Sequence, residues 1–445
     1  MTRSLVVLCI TSAALLGAPR GFAQPAPASA PVRLTLAEAV ARARSNSPRL
    51  EELRALHRAA DADLRGAKAG RLPVVDLQAS YTRNSNVPEL VLALPGSPPK
   101  TVFPNIPNNY RARIELAQPL YTGGRVSGAI QAARNELTAA AREVDTGVSD
   151  LVLEAVTAYW DLVNARESAR VLAESIVSYE ADLKQVQDRF GVGMAARNDV
   201  LNVQVERDQA ELSRLEAENN VGIANENLVR LLGLDPASRV EPVEPVEAPP
   251  LPEEAVEGLV AKALESRSEI AGLRARADAA EAGVRIARSD RLPQARLTAG
   301  YDYARPNSRI LPLTDTWNDS WSIGVSVSLQ AFDGGRASAA VARARAEADA
   351  ARQKLEDRER RVRLHVTASA LDLRTRRAAL QVAERNREAA RENVRVSQDR
   401  YREGLIPASE LLDAESRLLQ SGLSRTRSAT QLQQARANLD RAVGR

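Results

Sequence analysis

The chain has 445 residues, of which 27% are charged and only 3% aromatic, with a formal net charge of +4. Aromatic side chains normally supply much of a globular core, so a chain this poor in them and rich in Ala, Leu, Val, Arg and Glu suits long helices better than one large compact domain. The pI of 9.3 does not denote a nucleic-acid binder, because acids and bases alternate without forming basic blocks; residues 1–23 hold Arg3 and Arg20 and no acid, so removing them leaves +2.

At the N-terminus, Arg3, an apolar run over 4–17 and the small-residue site Gly21-Phe22-Ala23 predict a secretory signal over 1–23. A second cleavage position lies after Ala30. The apolar run is too short to cross a bilayer as a helix. The single cysteine, Cys9, falls inside it in a Val6-Val7-Leu8-Cys9 context that is no lipobox. Thiol catalysis and disulfides are therefore excluded from the mature chain. No later segment approaches 18 consecutive apolar residues, so no transmembrane helix is expected.

The rest of the sequence is a tandem repeat. Arg71-Leu72-Pro73 recurs 220 residues later as Arg291-Leu292-Pro293, and Tyr81 as Tyr301. Beyond that the offset becomes 211: Gly123-Gly124-Arg125 recurs as Gly334-Gly335-Arg336, Arg189-Phe190 as Arg400-Tyr401, and Gly233 as Gly444. The first copy, 24–233, thus carries about nine extra residues in a longer loop. A Pro-rich linker over 234–252, expected to be extended and semi-rigid, precedes the second copy at 253–445.

Each copy predicts the same elements in order. A helical segment ends at Leu72-Pro73 or Leu292-Pro293. Strands follow near 73–82 and 110–121, or near 293–304 and 320–332, each alternating apolar with polar residues. A glycine pair supplies the dihedrals for a strand-to-helix joint, with Thr122 or Asp333 as N-cap. No Lys-Ser/Thr follows the glycines, so a phosphate loop is excluded. Proline-free helices over 122–189 and 333–400 are then expected, each on the order of 100 Å long. Breaks at 191–197 and 404–407 lead into about 36 more helical residues.

Two readings fit the strands. One is a half-buried antiparallel sheet of a soluble protein. The other is part of a transmembrane barrel, with apolar rows toward lipid. Nine of the fifteen aromatics lie in or beside the strands, as interfacial girdles require. Four strands cannot close a barrel and open edges are not tolerated in lipid, so a barrel needs several chains. His57 and His365 occupy unrelated repeat positions, and no metal site is expected. Tyr159-Trp160 in mid-helix are expected to pack.

These features resemble the TolC family of outer-membrane efflux and secretion factors. The resemblance is carried by Leu34-Thr-Leu-Ala-Glu-Ala-Val with Asn46-Ser-Pro48, by the Leu-Pro and Gly-Gly-Arg joints, and by Arg189-Phe-Gly-Val-Gly193 and Arg400-Tyr-Arg-Glu-Gly404 at the hairpin tips. It spans about residues 34–444. It implies a mostly α chain with a small β part, forming a homotrimer with a twelve-stranded outer-membrane barrel and a periplasmic α-barrel. It also implies no catalysis and no cofactor. The implied role is the exit duct for an inner-membrane transporter joined by a periplasmic adaptor. Val192, Gly193, Met194, Gly404 and Leu405 would be adaptor-contact tips, and Gly123, Gly124, Gly334 and Gly335 the strand–helix joints. Asp199, Tyr401, Glu410 and Asp413 would form the gate. Tyr401 would hydrogen-bond Asp199, and Glu410 with Asp413 would give two stacked carboxylate rings. Acids in a first helical turn also simply complement the helix dipole, a plain reading for Asp199 and Glu410. Ile406 stands where the family has a gate arginine. An exported coiled-coil scaffold or an adaptor is the alternative from another class.

Overall fold

A computed structural model describes residues 31–93, 95–96, 98–244 and 254–445. The predicted signal sequence and the end of the linker lie outside the described residues. In chain order the elements are β1 (Val32–Leu34), α1 (Leu36–Asn46), α2 (Pro48–Ala69), β2 (Val74–Arg83), β3 (Leu90–Leu92), β4 (Lys100–Phe103), β5 (Asn108–Tyr121), α3 (Arg125–Gly191), α4 (Arg197–Leu232), β6 (Val240–Pro242), α5 (Val256–Ser266), α6 (Ser268–Ser289), β7 (Gln294–Arg305), β8 (Asn318–Ser328), α7 (Arg336–Arg402) and α8 (Ala408–Val443).

β2, β5, β7 and β8 form one antiparallel sheet in that order. Its register is set by the alternation of the sequence. Leu77 faces Ile114, Ile114 faces Tyr301, and Tyr301 faces Trp321, so one apolar row crosses all four strands. Val75, Leu116, Ala299 and Ile323 make the row beside it. Most of these side chains are exposed, Leu77 at 76% and Trp321 at 71%, while Leu116 and Ala299 are half-buried. The opposite face is polar: Arg111 pairs with Asp302 at 2.6 Å and Arg113 with Glu115 at 2.8 Å. At one end Tyr81, Tyr110, Trp317 and Tyr303 make a chain of ring contacts with centroids 4.9–5.9 Å apart. The fourth strand ends at Ser328 rather than running to 332, because residues 329–333 leave the ladder with a bend at Ala331. The extra residues of the first copy fold into their own small hairpin, β3 with β4.

The helices form a layer about 100 Å long, from 67 residues at 1.5 Å each in α3 and α7. Toward the sheet α3 lies between α2 and α6, with α7 beyond α6; toward the tips it lies between α4 and α8, with α7 beyond α8. Pairing of β5 with β7 and packing of α3 on α6 and α8 join the two repeats.

Midway along, the linker is more than a connector. Val240–Pro242 pairs in parallel with Val32–Leu34. Asn225 Oδ1 accepts from Val240 N at 2.8 Å. The buried Tyr159 hydroxyl donates to Leu34 O at 3.1 Å and accepts from Glu244 N at 3.2 Å, so this core tyrosine also clamps both chain segments. Trp160 is buried beside it. On the other repeat Arg267, Glu269 and Arg441 form a buried charge cluster that the exposed Arg358 caps from outside, with Arg358 to Glu269 at 2.7 Å and Arg441 to Asp150 at 2.6 Å. Burial pushes the Glu269 carboxyl up, but the Arg358 hydrogen bond and the nearby guanidiniums bring it below its ordinary value. His365 sits 3.5 Å from Arg267, its pKa lowered by burial and by that charge.

Both glycine pairs adopt left-handed dihedrals: φ is 59° and 89° at Gly123 and Gly124, and 67° and 89° at Gly334 and Gly335. The second glycine of each pair is the N-cap, and the side chains two residues earlier cap from outside. Thr122 Oγ1 accepts from Val126 N at 3.3 Å and Asp333 Oδ2 from Ala337 N at 2.6 Å. A Cβ on Gly123 would lie 2.8 Å from Leu292 Cβ and 2.9 Å from Ser289 O, whereas one on Gly334 meets open space. Gly334→Ala should therefore cost about 1 kcal/mol of backbone strain. Gly123→Ala should cost about 1–3 kcal/mol more for the clash. Apparent melting temperatures of the two variants in detergent would check this, and equal losses would refute it.

Candidate gate at the helical tips

The two tips are built alike. Gly193 N donates to Phe190 O and Met194 N to Arg189 O; 211 residues on, Gly404 N donates to Tyr401 O and Leu405 N to Arg400 O. Each is a helix end closed by a left-handed glycine, with φ of 77° at Gly193 and 76° at Gly404. The turn leaves Val192, Met194 and Leu405 at 71%, 74% and 63% exposure. These are bare apolar side chains at the far end of the molecule from the sheet.

Behind the tips the chain packs tightly. Tyr401 and Ile406 are buried in a cluster with Tyr179, Val186, Val203, Leu411 and Leu412. Ile406, where the resemblance leads one to expect an arginine, is therefore core. The cation at this place comes from α3: the Arg189 guanidinium lies 4.4 Å over the Tyr401 ring and donates to Arg402 O at 2.8 Å. The expected hydrogen bond from Tyr401 to Asp199 does not form. Asp199 Oδ2 instead accepts from Ala196 N at 3.0 Å, capping the start of α4. The Tyr401 phenol is pushed up by burial, with Arg189 opposing.

Glu410 and Asp413 are exposed near the start of α8. They are not equivalent, since Arg400 Nη1 stands 3.7 Å from Glu410 Oε1. Asp413 has no ion-pair partner among the described residues. One turn deeper lies a pair that the motif reading missed. Asp182 on α3 and Glu415 on α8 are both buried, and burial together with Asp182 pushes the Glu415 carboxyl up to about 9. The signal was present: each acid interrupts an apolar stripe, Ile176-Tyr179-Asp182-Val186 and Leu411-Leu412-Glu415-Gly422. No group of three or more potential metal ligands occurs among the described residues.

A family model for outer membrane efflux proteins matches residues 39–234 and 259–445, one segment per repeat. The chain belongs to the outer membrane efflux protein family. It is 24% identical to outer membrane protein TolC of Vibrio cholerae over 385 residues, 86% of this chain and 84% of that one. It is 26% identical to outer membrane protein OprJ of Pseudomonas aeruginosa, over 75% of this chain and 70% of that one. Its fold matches the outer-membrane channel OprN, with a TM-score of 0.77, 23% identity and coverage of 92% and 89%. It also matches VceC of Vibrio cholerae, with 0.78, 22%, and coverage of 92% and 96%. Family membership sets aside the scaffold and adaptor alternatives. This efflux-family protein is an outer-membrane channel with its helices in the periplasm, and is not an enzyme.

The tip geometry separates two variants. Arg189→Ala removes the stacked cation and the bond to Arg402 O, about 1–2 kcal/mol of contact between α3 and α7. Tyr401→Phe keeps the ring under Arg189 and should cost less than about 1 kcal/mol. Hydrogen exchange across 399–406 should accelerate clearly more in Arg189→Ala; a larger effect of Tyr401→Phe would contradict this arrangement.

Proposed function

We propose that three copies of this chain close into one tube, the exit duct of a tripartite efflux or secretion assembly. Substrate would enter between the helical tips, delivered by a periplasmic adaptor and an inner-membrane transporter, and leave through a twelve-stranded barrel. The observation that carries this reading is the sheet: four strands of 10–14 residues, apolar outward and polar inward, with β2 and β8 as edges open to another copy. Strands of this length cross a bilayer when tilted, and lipid does not tolerate unpaired edges. Conduction is passive in this scheme, the driving energy residing in the transporter. The exposed apolar tips at Val192, Met194 and Leu405 support docking of an adaptor there.

Outer-membrane fractionation followed by native mass measurement tests the assembly; a monomer in solution would end the duct reading. Selectivity is tested on the carboxylates. With threefold symmetry Glu410 and Asp413 give two rings, of which the Glu410 ring is partly neutralised by Arg400. Single-channel conductance in planar bilayers with millimolar divalent cations should show block. Asp413→Ala should weaken that block by about tenfold, equivalent to about 1.4 kcal/mol. Glu410→Ala should have a smaller effect. Unchanged block in both variants would remove these rings from the gate.

A further inference from the structure

Asp182 and Glu415 retain only 7% and 5% exposure, between α3 of the first hairpin and α8 of the second. Gln398 on α7 donates to Glu415 Oε1 at 3.4 Å. Of the remaining three oxygens, Asp182 Oδ2 and Glu415 Oε2 are buried and have no donor among the described residues. Neither acid has an ion-pair partner there either. Two bare carboxylates buried side by side repel and stay unsatisfied, whereas one proton held between them satisfies both oxygens.

We propose that a single proton shared by Asp182 and Glu415 locks the two helical hairpins of each chain together near their tips, and that its loss at alkaline pH loosens this seam alone.

The groups around the pair carry both signs of charge. Tyr179 on α3 lies near both acids and near Glu206 on α4. Tyr401 on α7 faces Asp182 and carries Arg189 over its ring, with Asp199 of α4 nearby. Glu174 on α3 and Arg387 and Arg391 on α7 line a cavity of about 280 Å³ that Glu415 also borders. Neither arginine forms an ion pair with Glu415, so burial and the second carboxylate decide the sign.

The repeat says why only this seam titrates. At the offset of 211, Asn393 takes the place of Asp182 and Gln204 that of Glu415. Both are exposed, on α7 and α4, the two outer edges of the helical layer. In the trimer proposed above these edges meet on neighbouring copies. Six seams would then alternate, three with an acid pair inside a chain and three with an amide pair between chains. The lock itself belongs to the single chain; the alternation, and any effect on conduction, rest on the duct reading.

The direction follows from linkage. Below about pH 4.5, the ordinary value for Glu, the closed and opened forms are both protonated and the seam has its full strength. Above it the opened form releases its proton first, so closure weakens by up to about tenfold per pH unit until the raised value is reached. Hydrogen exchange of the full-length protein in detergent from pH 5 to 8.5 reads this out, after correction for intrinsic exchange. Protection of peptides covering 176–186 and 411–422 should fall at least tenfold across the range in the wild type. Glu415→Gln and, separately, Asp182→Asn reproduce the neutral partner and should flatten that dependence, while peptides around 204 and 393 show none in any protein. An equal slope in wild type and variants would overturn the lock. If one variant fails to fold, the other decides. Channel conductance should rise with pH in the wild type only; a flat conductance beside an intact exchange slope would overturn the link to conduction and uphold the lock.

Discussion

The structure depends on one constraint, the obligation of every backbone N–H and C=O in lipid to find a partner. The four-stranded sheet meets it internally at β5 and β7, which have neighbours on both sides, and leaves it open at β2 and β8. The helical layer has matching open edges, α2 and α4 on one side and α7 on the other. A single chain is thus a segment of wall whose open sides are the same sides in both halves. In the proposed duct other copies of the chain would complete both at once, because the β edge and the helical edge are covalently one.

What keeps the two halves in step is the joint. A strand presents side chains with period two and a helix with period 3.6, so a continuous wall needs a residue pair that changes direction without a gap. The left-handed glycines provide this. Their surroundings differ, since Gly123 is wedged against Leu292 and Ser289 while Gly334 is open. The first joint is packed inside its own chain and the second lies near the α7 edge. The same asymmetry runs down the tube, with repeat-related positions alternating between contacts inside the chain and surfaces left bare.

Much of this was legible in the sequence because it is periodic. Alternation places the lipid-facing row, the absence of proline gives the helix lengths, and the doubled motifs give the order of elements. The pairing of Val32–Leu34 with Val240–Pro242 was not legible, because three-residue strands more than 200 positions apart carry no periodic signal and one of them contains a proline. The tip was half legible. Its tyrosine and its acids stand in motifs, but a motif does not say which partner wins. Asp199 satisfies a nearby backbone N–H, as acids at a helix start do, and Arg189 takes the tyrosine ring. Ile406 belongs to an apolar stripe and enters the core.

Departures from the apolar pattern proved more informative than matches to a motif. An acid on a buried stripe is costly unless it is neutralised, and it persists only where the cost is offset by packing or by use. Asp182 and Glu415 face each other from different repeats, so the cost falls on the interface between the two hairpins and not within either. Duplication alone would have given that interface the same chemistry as its counterpart on the outer edges. In the proposed trimer, amides on those edges and acids at the inner seam would make the two distinguishable by pH, although the elements there are the same. A tube of repeated units needs such a difference if some of its seams are to part while the others hold.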